Sequence, residues 1–206
     1  MSQRVHGIKP CEHLVELRNC MKRLLIICGP SGVGKTTIQD YLVKNYGFER
    51  VITHTTRPRR PHELDGRDYY FETTESFFKN NYLEHVEYAH YLYGSSREGL
   101  QRAWQKCDKT VIVLDTKGAA AYFRQLTVEL RCWYISVSDK KMLASRLKKR
   151  GADNAAVTKR LASLEAQRDM HVPTELRNSC HLIRNDDWGK TKKTIAEMLR
   201  AEGWDN

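Results

Sequence analysis

Long apolar runs are missing from this chain of 206 residues. The longest, at 24–28 and 111–114, fall far short of the roughly 18 residues that span a membrane, so no membrane partner is expected. The first 22 residues interleave Arg4, Lys9, Glu12, Glu16, Arg18 and Lys22, which leaves no apolar core for a secretory signal; the expected location is cytoplasmic. No two of the six cysteines (Cys11, Cys20, Cys28, Cys107, Cys132 and Cys180) are spaced C-x-x-C, and a chain this long needs no cross-link to hold a core. Six free thiols are the expectation. The eight histidines are scattered, and His85 and His90 do not share a helical ligand spacing, so no zinc site is expected. Internal repeats and low-complexity tracts are absent.

What is present is the balance of a folded domain, 40% hydrophobic and 29% charged, in a length that suits one domain with small inserted lobes. The net charge of +10 favours a polyanionic partner, and nucleic acid, a membrane surface and nucleotide phosphates all qualify. Its arginines cluster at specific motifs and no RNA-binding signature appears, so a nucleic-acid partner is not expected.

Residues 22–28 (KRLLIIC) form a short continuous apolar run, which predicts a strand buried on both faces. A glycine-rich turn follows at 29–34, and then Ile38, Tyr41, Leu42 and Tyr46 recur at helical spacing up to Gly47. Further strands are predicted at 110–115 and 128–136, and helices at 139–150 and 155–169. A closing helix carries Thr191, Ile195, Met198 and Leu199 on one face. Strands alternating with helices predict an α/β fold with a mainly parallel sheet covered on both faces. Residues 53–98 break that alternation with Pro58, Pro61 and Gly66 and with aromatic β segments at 69–71 and 82–91. They read as an inserted lobe in a core of 22–52 and 99–206. Residues 1–21 read as an N-terminal arm or extension.

The turn after the first strand is Gly29, Pro30, Ser31, Gly32, Val33, Gly34, Lys35, Thr36, which fits G-x-x-x-x-G-K-S/T, with Thr37 next in line. Glycines let main-chain N–H groups close around phosphate oxygens, and the helix N-terminus behind them adds a favourable dipole. Lys35 is placed to reach the β and γ phosphates, and the Thr36 hydroxyl to ligate Mg²⁺. This pattern predicts a nucleoside triphosphate site. It leaves ATPase, GTPase, motor and kinase readings open, although no N-K-x-D that would read guanine in a GTPase is found.

Further along lie T-T-R-x-x-R at 55–60, D-G-x-D-Y-x-F at 65–71, Y-L-E at 82–84, Y-G-S at 93–95, D-x-x-G at 115–118 and N-D-D at 185–187. In these ordered motifs, and over nearly all of residues 22–201, the chain resembles guanylate kinases, which phosphorylate GMP from ATP. The resemblance implies a P-loop three-layer sandwich with an inserted GMP-binding lobe and a helical lid at about 146–160. It also implies ATP and GMP (or dGMP) as substrates and Mg²⁺ as cofactor.

By the same resemblance, the GMP phosphate contacts fall on Arg57, Arg60, Tyr69 and Tyr93, and guanine recognition on Thr53, Glu84, Ser95 and Asp115. A carboxylate at Glu84 accepts from guanine N1–H and N2–H₂, and the hydroxyls of Thr53 and Ser95 can reach O6. Asp115 ends a buried strand, where a carboxylate needs a partner. Arg146 and Arg150 lie four apart on one helix face, and with Arg160 they match the family's lid arginines. With Lys35 they make up the expected catalytic set, and Arg150 and Asn185 join the ATP contacts.

Three positions depart from the family pattern: Val113 in place of an acid, Lys117 in place of Gln, and Leu92 in place of the first tyrosine of Y-Y-G. A non-catalytic interaction module of the same fold stays open as an alternative, although its phosphate loop would ordinarily be eroded and this one is intact. A kinase of another phosphorylated acceptor, such as a ribose bisphosphate, also stays open, as does the choice between monomer and homodimer.

Overall fold

The computed structural model describes residues 22–88, 90–149 and 153–204; the proposed N-terminal arm lies outside the described residues. In chain order the elements are β1 (Arg23–Cys28), α1 (Lys35–Tyr46), β2 (Glu49–Arg50), β3 (His54–Thr55), β4 (Tyr70–Phe71), α2 (Thr74–Phe77), β5 (Tyr82–Tyr88), β6 (Tyr91–Ser96) and α3 (Arg97–Lys106). They continue with β7 (Lys109–Val113), α4 (Thr116–Gln125), β8 (Glu129–Ser136), α5 (Lys141–Lys149), α6 (Asn154–Ala162), α7 (Leu164–Arg168), a 3-10 turn at Thr174–Leu176, β9 (Cys180–Arg184) and α8 (Trp188–Ala201).

The run Leu24 to Cys28 has no exposed residue, and its alternation sets the layers. Leu24, Ile26 and Cys28 face a cluster with Ile112, Cys132 and Tyr134, closed by Leu100 and Ala103 of α3 and Ala119 and Tyr122 of α4. Leu25 and Ile27 face the other cluster, with Val111, Trp133 and Ile135, closed by Ile38 and Leu42 of α1 and Ile195 and Leu199 of α8. Each fully buried aliphatic side chain contributes about 1.5–3 kcal/mol, so a strand apolar on both faces is stable only between two helical layers. The five-stranded sheet runs β2-β7-β1-β8-β9 with every pairing parallel. This is the expected mainly parallel α/β sandwich.

Residues within 54–96 build a separate four-stranded sheet, β4-β3-β6-β5, whose β5 packs on α4. The β segment expected at 82–91 is in fact the first arm of an antiparallel hairpin, β5 with β6. The chain reverses through His90, held at φ 66 without a glycine or proline to mark the turn. The helix expected at 155–169 is split in two at Ser163, which adopts an extended ψ of 151 and caps α7 by accepting from Ala166 N–H.

The expectation of six free thiols is also corrected: Cys132 and Cys180 form a disulfide. They are register partners on the adjacent parallel strands β8 and β9, 48 residues apart in sequence, which no spacing pattern exposes. Among the described residues Cys28 and Cys107 are free. No helix among the described residues is long and apolar enough to cross a membrane.

Candidate active site

The loop between β1 and α1 is shaped by its glycines. Gly29 has φ 129, and a Cβ there would run into the Ile135 carbonyl of β8; Gly34 has φ 99, and a Cβ would meet Asn185 Nδ2 at 2.5 Å. Lys35 Nζ donates to the carbonyls of Gly29 (2.5 Å) and Pro30 (2.9 Å), so the loop wraps its own lysine. Burial pushes the Lys35 ammonium below its ordinary range, against the attraction of Asp169. Val33 is buried, and its carbonyl accepts from Asn185 Nδ2 at 2.7 Å and Arg146 at 3.3 Å. Arg146 also donates to the Asn185 carbonyl at 2.7 Å. The first turn of α1 carries no acid, so its positive end is left for an anion.

Across a single cleft, Ser31, Gly32, Gly34, Lys35, Thr36 and Arg160 face Thr53, Arg57, Arg60, Tyr69, Glu84, Tyr93 and Asp115. On the lobe side Arg57 is held by Glu63, with its terminal nitrogen 2.7 and 2.9 Å from the two carboxylate oxygens. Burial opposes the charge on Arg57, but the Glu63 hydrogen bonds outweigh it and the guanidinium is held above its ordinary range. Arg60 is exposed, with its guanidinium 3.7 Å from Glu63. The Tyr69 and Tyr93 rings meet edge-on at 6.3 Å, and Arg57 lies over Tyr69 at 5.5 Å.

Buried Ser95 stands behind Glu84 and donates its hydroxyl to Oε1 at 2.7 Å. Burial, with Asp115 nearby, pushes the Glu84 carboxyl up to about 7 against that hydrogen bond. A Cβ on Gly118 would lie 2.9 Å from Glu84 and 3.2 Å from Asp115, so only glycine lets the two carboxylates share this corner. Asp115 caps α4 by accepting from Gly118 N–H at 2.6 Å.

The remaining expected residues sit apart from the cleft wall. Pro30 and Val33 belong to the loop itself but stay off the cleft wall, Arg146 and Asn185 hold that loop from behind through the Val33 carbonyl, and exposed Thr37 lines a neighbouring cavity with Asp40 and Arg50. Arg150 lies outside the described residues. Arg160 lies over the Tyr88 ring at 5.5 Å, and among the described residues its buried Nε has no hydrogen-bond partner.

Sequence reading missed Glu63, Arg168 and Asp169. Arg168 joins Asp115 (2.8 Å) to Asp169 (3.0 Å), and buried Asp169 in turn accepts from the Thr116 hydroxyl at 2.7 Å. The sole signal was a helix-terminal Arg-Asp pair with no visible partner.

The fold and the cleft define a P-loop phosphotransferase of the nucleoside monophosphate kinase class. The family model described as guanylate kinase matches residues 21–202, and the chain belongs to that family. It is 32% identical over 185 residues to a guanylate kinase of Hahella chejuensis (87% of this chain, 86% of the relative). It is 31% identical over 193 residues to one of Chlamydia felis, covering 89% of this chain and 90% of that one. Among solved structures, a guanylate kinase from Anaplasma phagocytophilum shares the fold with a TM-score of 0.63 at 24% identity, over 89% of this chain and 87% of its own.

Proposed function

We propose that this enzyme transfers the γ-phosphoryl group of MgATP to GMP, giving ADP and GDP. The supporting observation is the single cleft in which the Lys35 loop faces a carboxylate-and-arginine pocket made by Glu84, Arg57 and Arg60. In this reading residues 22–52 and 99–206 are the core, 53–98 the GMP-binding lobe and about 146–160 the lid.

On the ATP side, residues Gly29 through Thr37 surround the triphosphate, and Lys35 exchanges its loop carbonyls for β and γ oxygens. Arg160 and Arg150 meet the charge of the transferring group, while Arg146 and Asn185 hold the loop rigid by their grip on Val33.

On the acceptor side, Arg57 and Arg60 trade Glu63 for the GMP phosphate, and Tyr69 and Tyr93 donate to the same oxygens. Ionised Glu84 accepts from guanine N1–H and N2–H₂, Ser95 steadies that carboxylate, and Thr53 reaches O6. Adenine offers no N1–H and would leave Glu84 buried and unpaired. The acceptor phosphate, with a second pKa of about 6, is already largely ionised, so positioning and charge neutralisation suffice without a strong base.

Magnesium fits the donor set. The Thr36 hydroxyl is exposed in the cleft and makes no hydrogen bond among the described residues, whereas Asp115 and Asp169 are engaged by Arg168. Thr36 would therefore hold the ion together with phosphate oxygens and water, and the ion would neutralise charge on the transferred phosphates.

A coupled ADP-release assay across GMP, dGMP, AMP, CMP and UMP tests the proposal. The expected result is turnover with guanine acceptors and discrimination against AMP on the order of 10⁴. Equal turnover with AMP and GMP would refute the base-reading role of Glu84.

A further inference from the structure

Cys28, Cys132 and Cys180 come from three neighbouring strands and point to the same face of the sheet. Ile26 pairs with Cys132 and Cys132 with Cys180, and Cys28 lies two residues beyond Ile26. Their three sulfurs all lie within 4.8 Å of one another, with Cys28 Sγ 3.6 Å from Cys132 Sγ. Cys28 and Cys132 are fully buried in the apolar cluster with Leu24, Ile26 and Tyr134, while Cys180 is partly exposed. Nothing in the phosphotransfer chemistry uses these thiols.

The arrangement is a triangle. For Cys28 to attack the Cys132–Cys180 bond it would have to lie in line with it, which would put the outer sulfurs about 5.6 Å apart; they are within 4.8 Å. A cation bonded to three sulfurs at about 2.3 Å requires them roughly 4 Å apart. Cys28 and Cys132 already stand at 3.6 Å, and Cys132 and Cys180, bonded to each other in the oxidised chain, would part to that spacing once reduced. Among the described residues no His, Asp or Glu joins the group. Hard cations such as Mg²⁺ and Ca²⁺ need oxygen donors, and structural zinc sites close with four ligands. Three soft donors with no fourth suit a monovalent thiophilic ion.

We infer that the reduced Cys28–Cys132–Cys180 cluster is a binding site for a soft thiophilic cation, Cu(I) in preference to Zn(II), and that the Cys132–Cys180 disulfide closes it. Opening the disulfide takes two equivalents of a small thiol. The first attacks partly exposed Cys180 Sγ, forming a mixed disulfide and releasing Cys132 as a thiolate. The second attacks the small-molecule sulfur of that mixed disulfide, releasing Cys180 and the oxidised small disulfide; the two thiol protons pass to the two cysteines. Because β1 ends on Cys28 and Gly29 opens the phosphate loop, a bound ion would tie the root of that loop to β8 and β9.

The test is anaerobic titration of the full chain with Cu(I) buffered by bicinchoninate, after reduction with a phosphine, beside the oxidised chain and a Zn(II) arm. The reduced chain is expected to retain one Cu(I) against the competitor, with a copper–thiolate charge-transfer band, and the oxidised chain to bind more than about 100-fold more weakly. Cys28→Ser and Cys180→Ser should each weaken retention by about 100-fold, whereas Cys107→Ser and Cys11→Ser/Cys20→Ser should not. Should buried Cys28→Ser fail to fold, Cys180→Ser at the partly exposed edge strand and the redox comparison decide the matter. No copper retained by the reduced chain, equal retention by the oxidised chain or by Cys180→Ser, or tighter binding of zinc would overturn the inference.

Discussion

Arg168 donates to Asp115 Oδ2 at 2.8 Å, linking the end of α7 to the start of α4 across 53 residues of sequence. The same guanidinium reaches Asp169, so one arginine neutralises two carboxylates beside the cleft. Arg168→Met keeps the stem and removes the charge, leaving Asp115 and Asp169 their Gly118 and Thr116 hydrogen bonds but not this cation. Because the Arg168 side chain is 32% exposed, the loss should be about 1–3 kcal/mol, below the figure for a fully buried pair. GMP KM should rise at least about tenfold with ATP KM nearly unchanged, and Arg168→Lys should restore part of it. Steady-state kinetics and urea unfolding check both effects; equal loss for the two substrates would point to general damage instead.

Glu84 sets a pH dependence whose sign follows from its raised pKa of about 7. The folded protein holds this proton more tightly than the unfolded chain does. Glu84 therefore costs no stability below its unfolded value near 4.5, and its cost grows as pH rises through about 7. Guanine binding has the opposite slope, because it needs the ionised form. Guanosine, which lacks the phosphate that would itself titrate, should bind about tenfold more weakly at pH 6 than at pH 8. Glu84→Gln should bind weakly and with no slope. Calorimetry in buffers of different ionisation enthalpy should also detect proton release on binding near pH 6.5.

Lys35→Ala separates catalysis from stability. The buried ammonium is desolvated in the free protein, so the cost of losing its bonds to the Gly29 and Pro30 carbonyls is offset by the relief of that burial. Stability should change by no more than about 1 kcal/mol, while kcat falls by on the order of 10²–10⁴. Thermal unfolding alongside the coupled assay measures both, and near-normal kcat in a folded variant would remove Lys35 from the mechanism.

Gly34→Ala should fail for two separate reasons. Its φ of 99 is costly for a residue with a Cβ, and that Cβ would lie 2.5 Å from Asn185 Nδ2, breaking the bond that holds Val33. A loss of about 2–3 kcal/mol and of ATP binding is expected. Gly47→Ala, also at positive φ but with open space around it, should lose about 1 kcal/mol and keep ATP binding. Urea unfolding and nucleotide titration distinguish the two.

The strand, loop and helix from Arg23 to Tyr46 were legible in the linear chain because each rests on local chemistry: an apolar run, glycines at a turn, and helical spacing closed by Gly47. The lobe residues were legible as ordered motifs, and their shared cleft follows from the lobe's own sheet packing through β5 on α4 of the core.

Other features exist only as long-range neighbours. Arg168 finds Asp115, Cys132 finds Cys180 in β-sheet register, and Glu84 meets Asp115 in the gap left by Gly118. None of these pairs is marked by spacing or composition, since residues about 30 to 50 apart in sequence become neighbours through sheet order and helix placement. The high pKa of Glu84 has the same origin: a carboxylate on a strand face is ordinary until the opposite wall removes its water.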